Sequence, residues 1–174
     1  MIIISSKTPK LKDIIKRHLQ KVAYIRKEIP NPLADFGIEF KFPTKKDFTM
    51  VIAKPKDKGE IQLTHTIKFG EEHLKRYNTL KSLEQNQLLY DLSQLVHSKE
   101  CNFTILKFDN NERIIGIANK FILSGKPIEI NKLFKFINKA FCVSALVLNH
   151  IKFRLSANGY TPESSSNLSP SYFT

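Results

Sequence analysis

The chain of 174 residues is poor in several residue types, and each shortage excludes something. It has two cysteines, Cys101 and Cys142, which fall in different predicted elements and form no CxxC pair. That rules out a disulfide scaffold or a zinc ribbon. Six glycines are present and none cluster. The sequence therefore holds no phosphate-cradling loop, and neither GxGxxG nor a Walker motif occurs. GxSxG and HExxH are missing too. No apolar run approaches the ~18 residues of a membrane helix. The opening Met1-Ile2-Ile3-Ile4 is too short for a signal segment, so the expected setting is the cytoplasm, with both thiols reduced. Carboxylates are few and scattered: Glu71-Glu72 suits a helix start, and Asp35, Glu39 and Glu60 have no spacing that implies a catalytic dyad. No catalytic residue, cofactor or metal is expected.

What is abundant is lysine. Basic residues number 28 against 16 acidic ones, for a net charge of +12. Lysine supplies 23 of them and arginine five, so bidentate phosphate or base recognition has few candidates. Residues 1–30 carry +6 and residues 131–160 carry +5, whereas 71–130 sum to zero. Such a surplus favours acidic partners, whether nucleic acid, anionic lipid or an acidic protein, or it simply keeps the surface wet.

The hydrophobic pattern predicts a single two-layer α+β domain over residues 1–155, an antiparallel sheet packed against helices. Thr8 caps a first helix at 9–29, in which Leu11, Ile14, Ile15, His18, Leu19, Val22, Ile25 and Ile29 share an apolar arc. Period-two alternation marks strands near 36–42, 48–54 and 60–69. A helical region at 71–99 reads as two helices broken near Asn78 to Ser82, with Ser82 and Gln85 as a capping box. A hairpin covers 101–123, turning at Asp109-Asn110-Asn111-Glu112. A final helix runs from 131 to 153, with a strand over 143–155 as the competing local reading. Residues 156–174 are Ser-rich and read as a disordered tail.

The final helix carries a stripe of Lys132, Lys135 and Lys139, which Cys142 and Leu146 continue. Between 140 and 148 every residue but Ser144 is apolar. A helix apolar all round has to be covered all round. Either it is central to the domain or its far face meets a second chain. The second is preferred, because a two-layer domain rarely covers both sides of one helix. The interface candidates are then Cys142, Val143, Leu146 and Val147, with Cys142 expected to be buried and inert. His18 and His65 both fall on apolar faces, where each is read as a core histidine rather than a ligand. His97 and Cys101 would share a face if one helix spanned both.

The order α-βββ-α-ββ-α over residues 9–153 resembles the type III secretion chaperone-like fold. It is also similar to small archaeal proteins of unknown function. The resemblance implies a non-catalytic domain that dimerises and offers its sheet or helices to another polypeptide. Secretion chaperones are generally acidic, and this chain is basic. The leading expectation is an intracellular protein-binding module, an adaptor and homodimer. The alternative is a nucleic-acid-binding or ribonucleoprotein-associated protein using Lys10, Lys16, Arg17, Lys21, Lys132, Lys135 and Lys139. No membrane partner is expected.

Overall fold

The computed structural model describes residues 3–4, 8–43, 48–56, 58–97, 101–107, 114–124 and 128–155. In chain order these form β1 (Ile3–Ile4), α1 (Thr8–Val22), β2 (Tyr24–Glu28), β3 (Ala34–Lys41), β4 (Thr49–Pro55), β5 (Glu60–Lys68), α2 (Glu71–Thr79), α3 (Ser82–His97), β6 (Asn102–Lys107), β7 (Ile114–Ser124), β8 (Ile128–Glu129) and α4 (Ile130–Leu155). The class is α+β, and the order α-βββ-α-ββ-α holds. To it the structure adds the strand β2 and a small β1–β8 ladder. The turn at 109–112 and the segment 156–174 lie outside the described residues.

Six strands make one antiparallel sheet in the order β2-β3-β4-β5-β7-β6. Alternation decides which face is covered. Phe36, Ile38 and Phe40 of β3, Met50 and Ile52 of β4, and Ile61, Leu63, His65 and Ile67 of β5 are all buried. They are joined by Ile117, Asn119 and Phe121 of β7. The helices lie on this face. The opposite face presents Glu39, Val51, Ala53, Gln62, Thr64, Ala118 and Lys120, all half-exposed, and no described element covers it.

Residues 24–28, read above as the last turns of the first helix, form an edge strand instead. Helix α1 closes at Val22, with the Ala23 N–H still donating to the Leu19 carbonyl at 2.7 Å. The chain then pairs with β3, from Tyr24 opposite Lys41 to Glu28 opposite Ile38. The Tyr24-Ile25 pair suits a strand, and ladder hydrogen bonds override the helical spacing of Ile25 and Ile29. Val22 loses its place in the apolar arc and is 37% exposed.

The break between α2 and α3 falls where expected, but its cap is shifted by one residue. The Lys81 N–H donates to Glu84 Oε2 at 2.9 Å, which is the back-reaching half of a capping box. Gln85 Nε2 instead donates to the carbonyls of Tyr77 and Leu80, which ties the end of α2 to the start of α3.

Helix α4 is the centre of the helical layer. It packs on β5 and β7 beneath it and on α2 and α3 beside it. Leu133, Ile137, Ala140, Val143, Ser144, Val147, Ile151 and Leu155 are buried. Asp91 on α3 lies 3.7 Å from Arg154 and 3.9 Å from His150, which is too long for a hydrogen bond. The strand reading over 143–155 is not realised.

Of the two glycines described in the sheet, Gly116 leaves the less room for a side chain. A Cβ placed there would lie 2.3 Å from the Ile67 carbonyl oxygen, a backbone atom that cannot rotate away. At Gly37 the nearest atom, the Ile29 carbonyl oxygen, would be 3.0 Å from a Cβ. Gly116→Ala is therefore expected to lower stability by about 2–3 kcal/mol in chemical denaturation, and Gly37→Ala by distinctly less. Equal losses at the two sites would contradict this reading of the β5–β7 approach.

Candidate functional site

The charge surplus gathers in two helices. α1 carries five basic residues and one acidic, and α4 carries five basic and none acidic. Together they hold nine of the net twelve charges. The two helices touch: the His18 ring of α1 meets Phe134 of α4 edge-on, with centroids 5.9 Å apart. Burial, together with the charges of Lys21 and Arg17, depresses the His18 pKa. Lys21 and Arg17 therefore flank the junction of the two helices.

The cations are not equivalent. Lys12 and Lys16 both pair with Glu28 of β2, the latter at 2.8 Å. Their hydrogen bonds hold the Glu28 carboxyl down at about 2. Arg17 and Lys21 are exposed, with no acidic partner among the described residues. Lys132 reaches Glu129 at 3.3 Å, and Lys135 and Lys139 are exposed on the outer stripe of α4. The Lys139 charge also reaches the Cys101 thiol. Lys10 lies in the first turn of α1, and its side chain is outside the described set. Of the seven lysine and arginine candidates, the structure thus places Arg17, Lys21 and Lys135 on one outward-facing helical layer, with Lys16 tied down beside it.

The four interface candidates divide. Val143 and Val147 are buried within the chain itself, under α4. A second chain cannot touch them, and their assignment to an interface is corrected. An α4 covered by the sheet and by α2 and α3 has no need of another molecule on those positions. Cys142 and Leu146 sit on the outer stripe, with Leu146 47% exposed. Cys142 is exposed, contrary to expectation. The buried thiol is Cys101, which burial pushes up to about 12. His97 ends α3 and Cys101 precedes β6, so no single helix carries both.

Three buried polar side chains stand inside the apolar layer. His65 and Asn119 are directly opposite each other in the β5–β7 register and face the helices. His65 Nδ1, both amide atoms of Asn119 and the Ser144 hydroxyl have no hydrogen-bond partner among the described residues. The His65 ring stacks on Phe48, with centroids at 4.5 Å, and Phe48 in turn meets Phe141 of α4 edge-on at 5.1 Å. His18 and His65 thus keep different aromatic company, each as a packed histidine. Asn119 was legible in the sequence, since the alternation of Ile117, Asn119 and Phe121 puts it inside, but an isolated asparagine carries no motif. Among the described residues no group of three His, Cys, Asp or Glu could hold a metal. A shallow cavity of about 490 Å³ between α1 and the β2–β3 turn is lined by Lys12, Glu28, Pro30 and Asp35. Its charged walls are already paired, Lys12 with Glu28 and Asp35 with Lys54. No helix is long and apolar enough to cross a membrane among the described residues.

Residues 11–151 match a protein family described as an uncharacterized conserved protein, DUF2299. No curated protein matches the chain. Its fold is similar to the crystal structure of an uncharacterized protein from Methanothermobacter thermautotrophicus, with a TM-score of 0.72 and 17% identity. That likeness covers 83% of this chain and 99% of the other. The expected similarity to small archaeal proteins of unknown function therefore holds, at the level of the fold.

His65 makes stability depend on pH. Burial holds its folded pKa at about 4, below the ordinary 6.5. Between those values the unfolded chain binds the proton and the folded chain does not, so acid favours unfolding. The contribution is intact above pH 6.5 and falls by about 3 kcal/mol as the pH drops to 4. In His65→Leu, equilibrium unfolding followed across pH 4–7 should lose that part of the slope. A slope unchanged by the substitution would assign the acid sensitivity to other groups.

Proposed function

We propose that this chain, which belongs to the uncharacterized conserved family DUF2299, is a non-catalytic binding module that holds a nucleic-acid backbone against the outer faces of α1 and α4. The observation that carries this reading is the charge segregation: two touching helices hold nine of twelve net charges and a single acidic residue, Asp13. Lysine predominance supports phosphate contact without base readout. Among the described residues the open sheet face, with Val51, Ala53, Thr64 and Ala118, carries one exposed aromatic, Tyr24 at its β2 edge, and no array on which successive bases could stack. Binding is accordingly set by charge and shape rather than by sequence. The lysine surface and the expected free thiols support a cytoplasmic setting.

A second reading, an adaptor or chaperone-like module that holds another polypeptide, is supported by the order of elements and by Leu146 on the outer stripe of α4. It uses fewer of the surface's features. Protein retained by the full chain after nuclease treatment, and lost in Leu146→Asp, would favour it.

The test of the first reading is a salt series with fluorescently labelled single- and double-stranded oligonucleotides. Affinity should fall steeply with salt, by about 0.7–0.9 in log–log slope for each phosphate contacted. Lys21→Ala and Lys135→Ala should each reduce that slope by about one contact, while Lys75→Ala on α2 should leave it unchanged. Binding that ignores salt, or slopes equal in all three variants, would overturn the assignment.

A further inference from the structure

The two edges of the main sheet are built differently. The β2 edge is blunted: Arg26, Lys27 and Glu28 crowd its five residues, a bulge falls between Ile25 and Lys27, and Pro30 follows. Those are the usual devices by which a sheet refuses another strand. The β6 edge has none of them along most of its length. Asn102 to Leu106 run without interruption against Lys120 to Gly116 of β7, and the one bulge comes at the end, at Lys107. Lys107 is also the strand's only charge. No described strand pairs with the far side of β6.

Charge narrows the occupant. Over most of its surface a chain of net charge +12 repels another copy of itself. The β6 side is the exception. α3, which packs on β6, has no lysine or arginine and carries Glu84 and Asp91.

We propose that a second copy of this chain docks on β6, so that two six-stranded sheets join into one through an antiparallel β6–β6 pairing. A two-fold axis through Thr104 places Phe103 of each copy opposite Ile105 of the other on the helix side, and Asn102 opposite Leu106 on the open side. No like charges face each other in that register. Both helical layers then lie on the same side, and the α3 helices become neighbours across the joint. This assembly uses neither Val143 nor Val147, and it does not depend on the nucleic-acid reading.

The test is the mass of the full chain in solution, by sedimentation over a concentration series without nucleic acid. The wild type should reach twice the 20.1 kDa chain mass. Thr104 is exposed, so substitutions there leave the core alone. Thr104→Lys and Thr104→Glu each set like charges opposite themselves and should weaken self-association by about fivefold at low salt. An equimolar mixture of the two variants should associate at least as well as the wild type. Thermal melts of each variant by circular dichroism check that it is folded. A wild type that stays monomeric at high concentration would overturn the proposal. So would a dimer that Thr104→Lys leaves intact, or variants that weaken but do not rescue each other.

Discussion

The structure depends on how α4 is covered. A helix with apolar side chains around most of its circumference must bury them, and one sheet face reaches only part of that surface. α2 and α3 take the flank on one side, with Asp91 held near Arg154 and His150. α1 meets the other side through His18 and Phe134. What remains is a narrow outer stripe, and there the sequence places Lys135, Lys139, Cys142 and Leu146. The position of the basic layer thus follows from core packing: charge occupies the one line on α4 that nothing else covers. The same packing sets α1 at an angle where Arg17 and Lys21 stand beside that line.

The sequence was most legible where a period was long and clean. β3, β4 and β5 emerge within a residue or two of their predicted bounds, because their inward residues are large and, His65 apart, apolar, while most outward ones are small or polar. It was least legible where two periods fit the same residues. Ile25 and Ile29 satisfy a helical arc, yet Tyr24 to Glu28 gain a ladder with β3, and no local pattern announces that partner. Val143 and Val147 misled in a related way. The all-apolar segment is plain in the sequence, but whether its cover comes from this chain or another is a property of the tertiary arrangement. The capping signal near Ser82 pointed to the right break and the wrong residue, since Glu84 and Gln85 both reach backward and only geometry says to which group.

Charge is sorted across the molecule rather than spread. The α1–α4 side is strongly basic, the open sheet face mixes Glu39 with Lys120 among uncharged residues, and the α3–β6 side is close to neutral. On the β2 edge Glu39 draws in Arg26 at 2.9 Å and Lys27 at 3.7 Å, so basic side chains there are anchored rather than free. Net charge alone would describe this protein as uniformly adhesive to polyanions. The arrangement describes it as having one adhesive side, one mixed face and one quiet flank.

The strand order has a consequence for how the molecule assembles. β2 to β5 follow one another in sequence and in space, and β6 with β7 is a hairpin, so both units can zip from local turns. The seam between them is different. β5 pairs with β7 over nine positions, from Glu60 with Ser124 to Lys68 with Gly116, and joining them closes a loop that contains α2, α3 and β6. Loop closure makes this seam the pairing with the largest entropic cost in the sheet. It is also where Gly116 allows the backbones to meet and where His65 and Asn119 lie face to face. The loop-closure cost of this sheet is accordingly concentrated in its middle, at the joint between two units of sequence-local pairing.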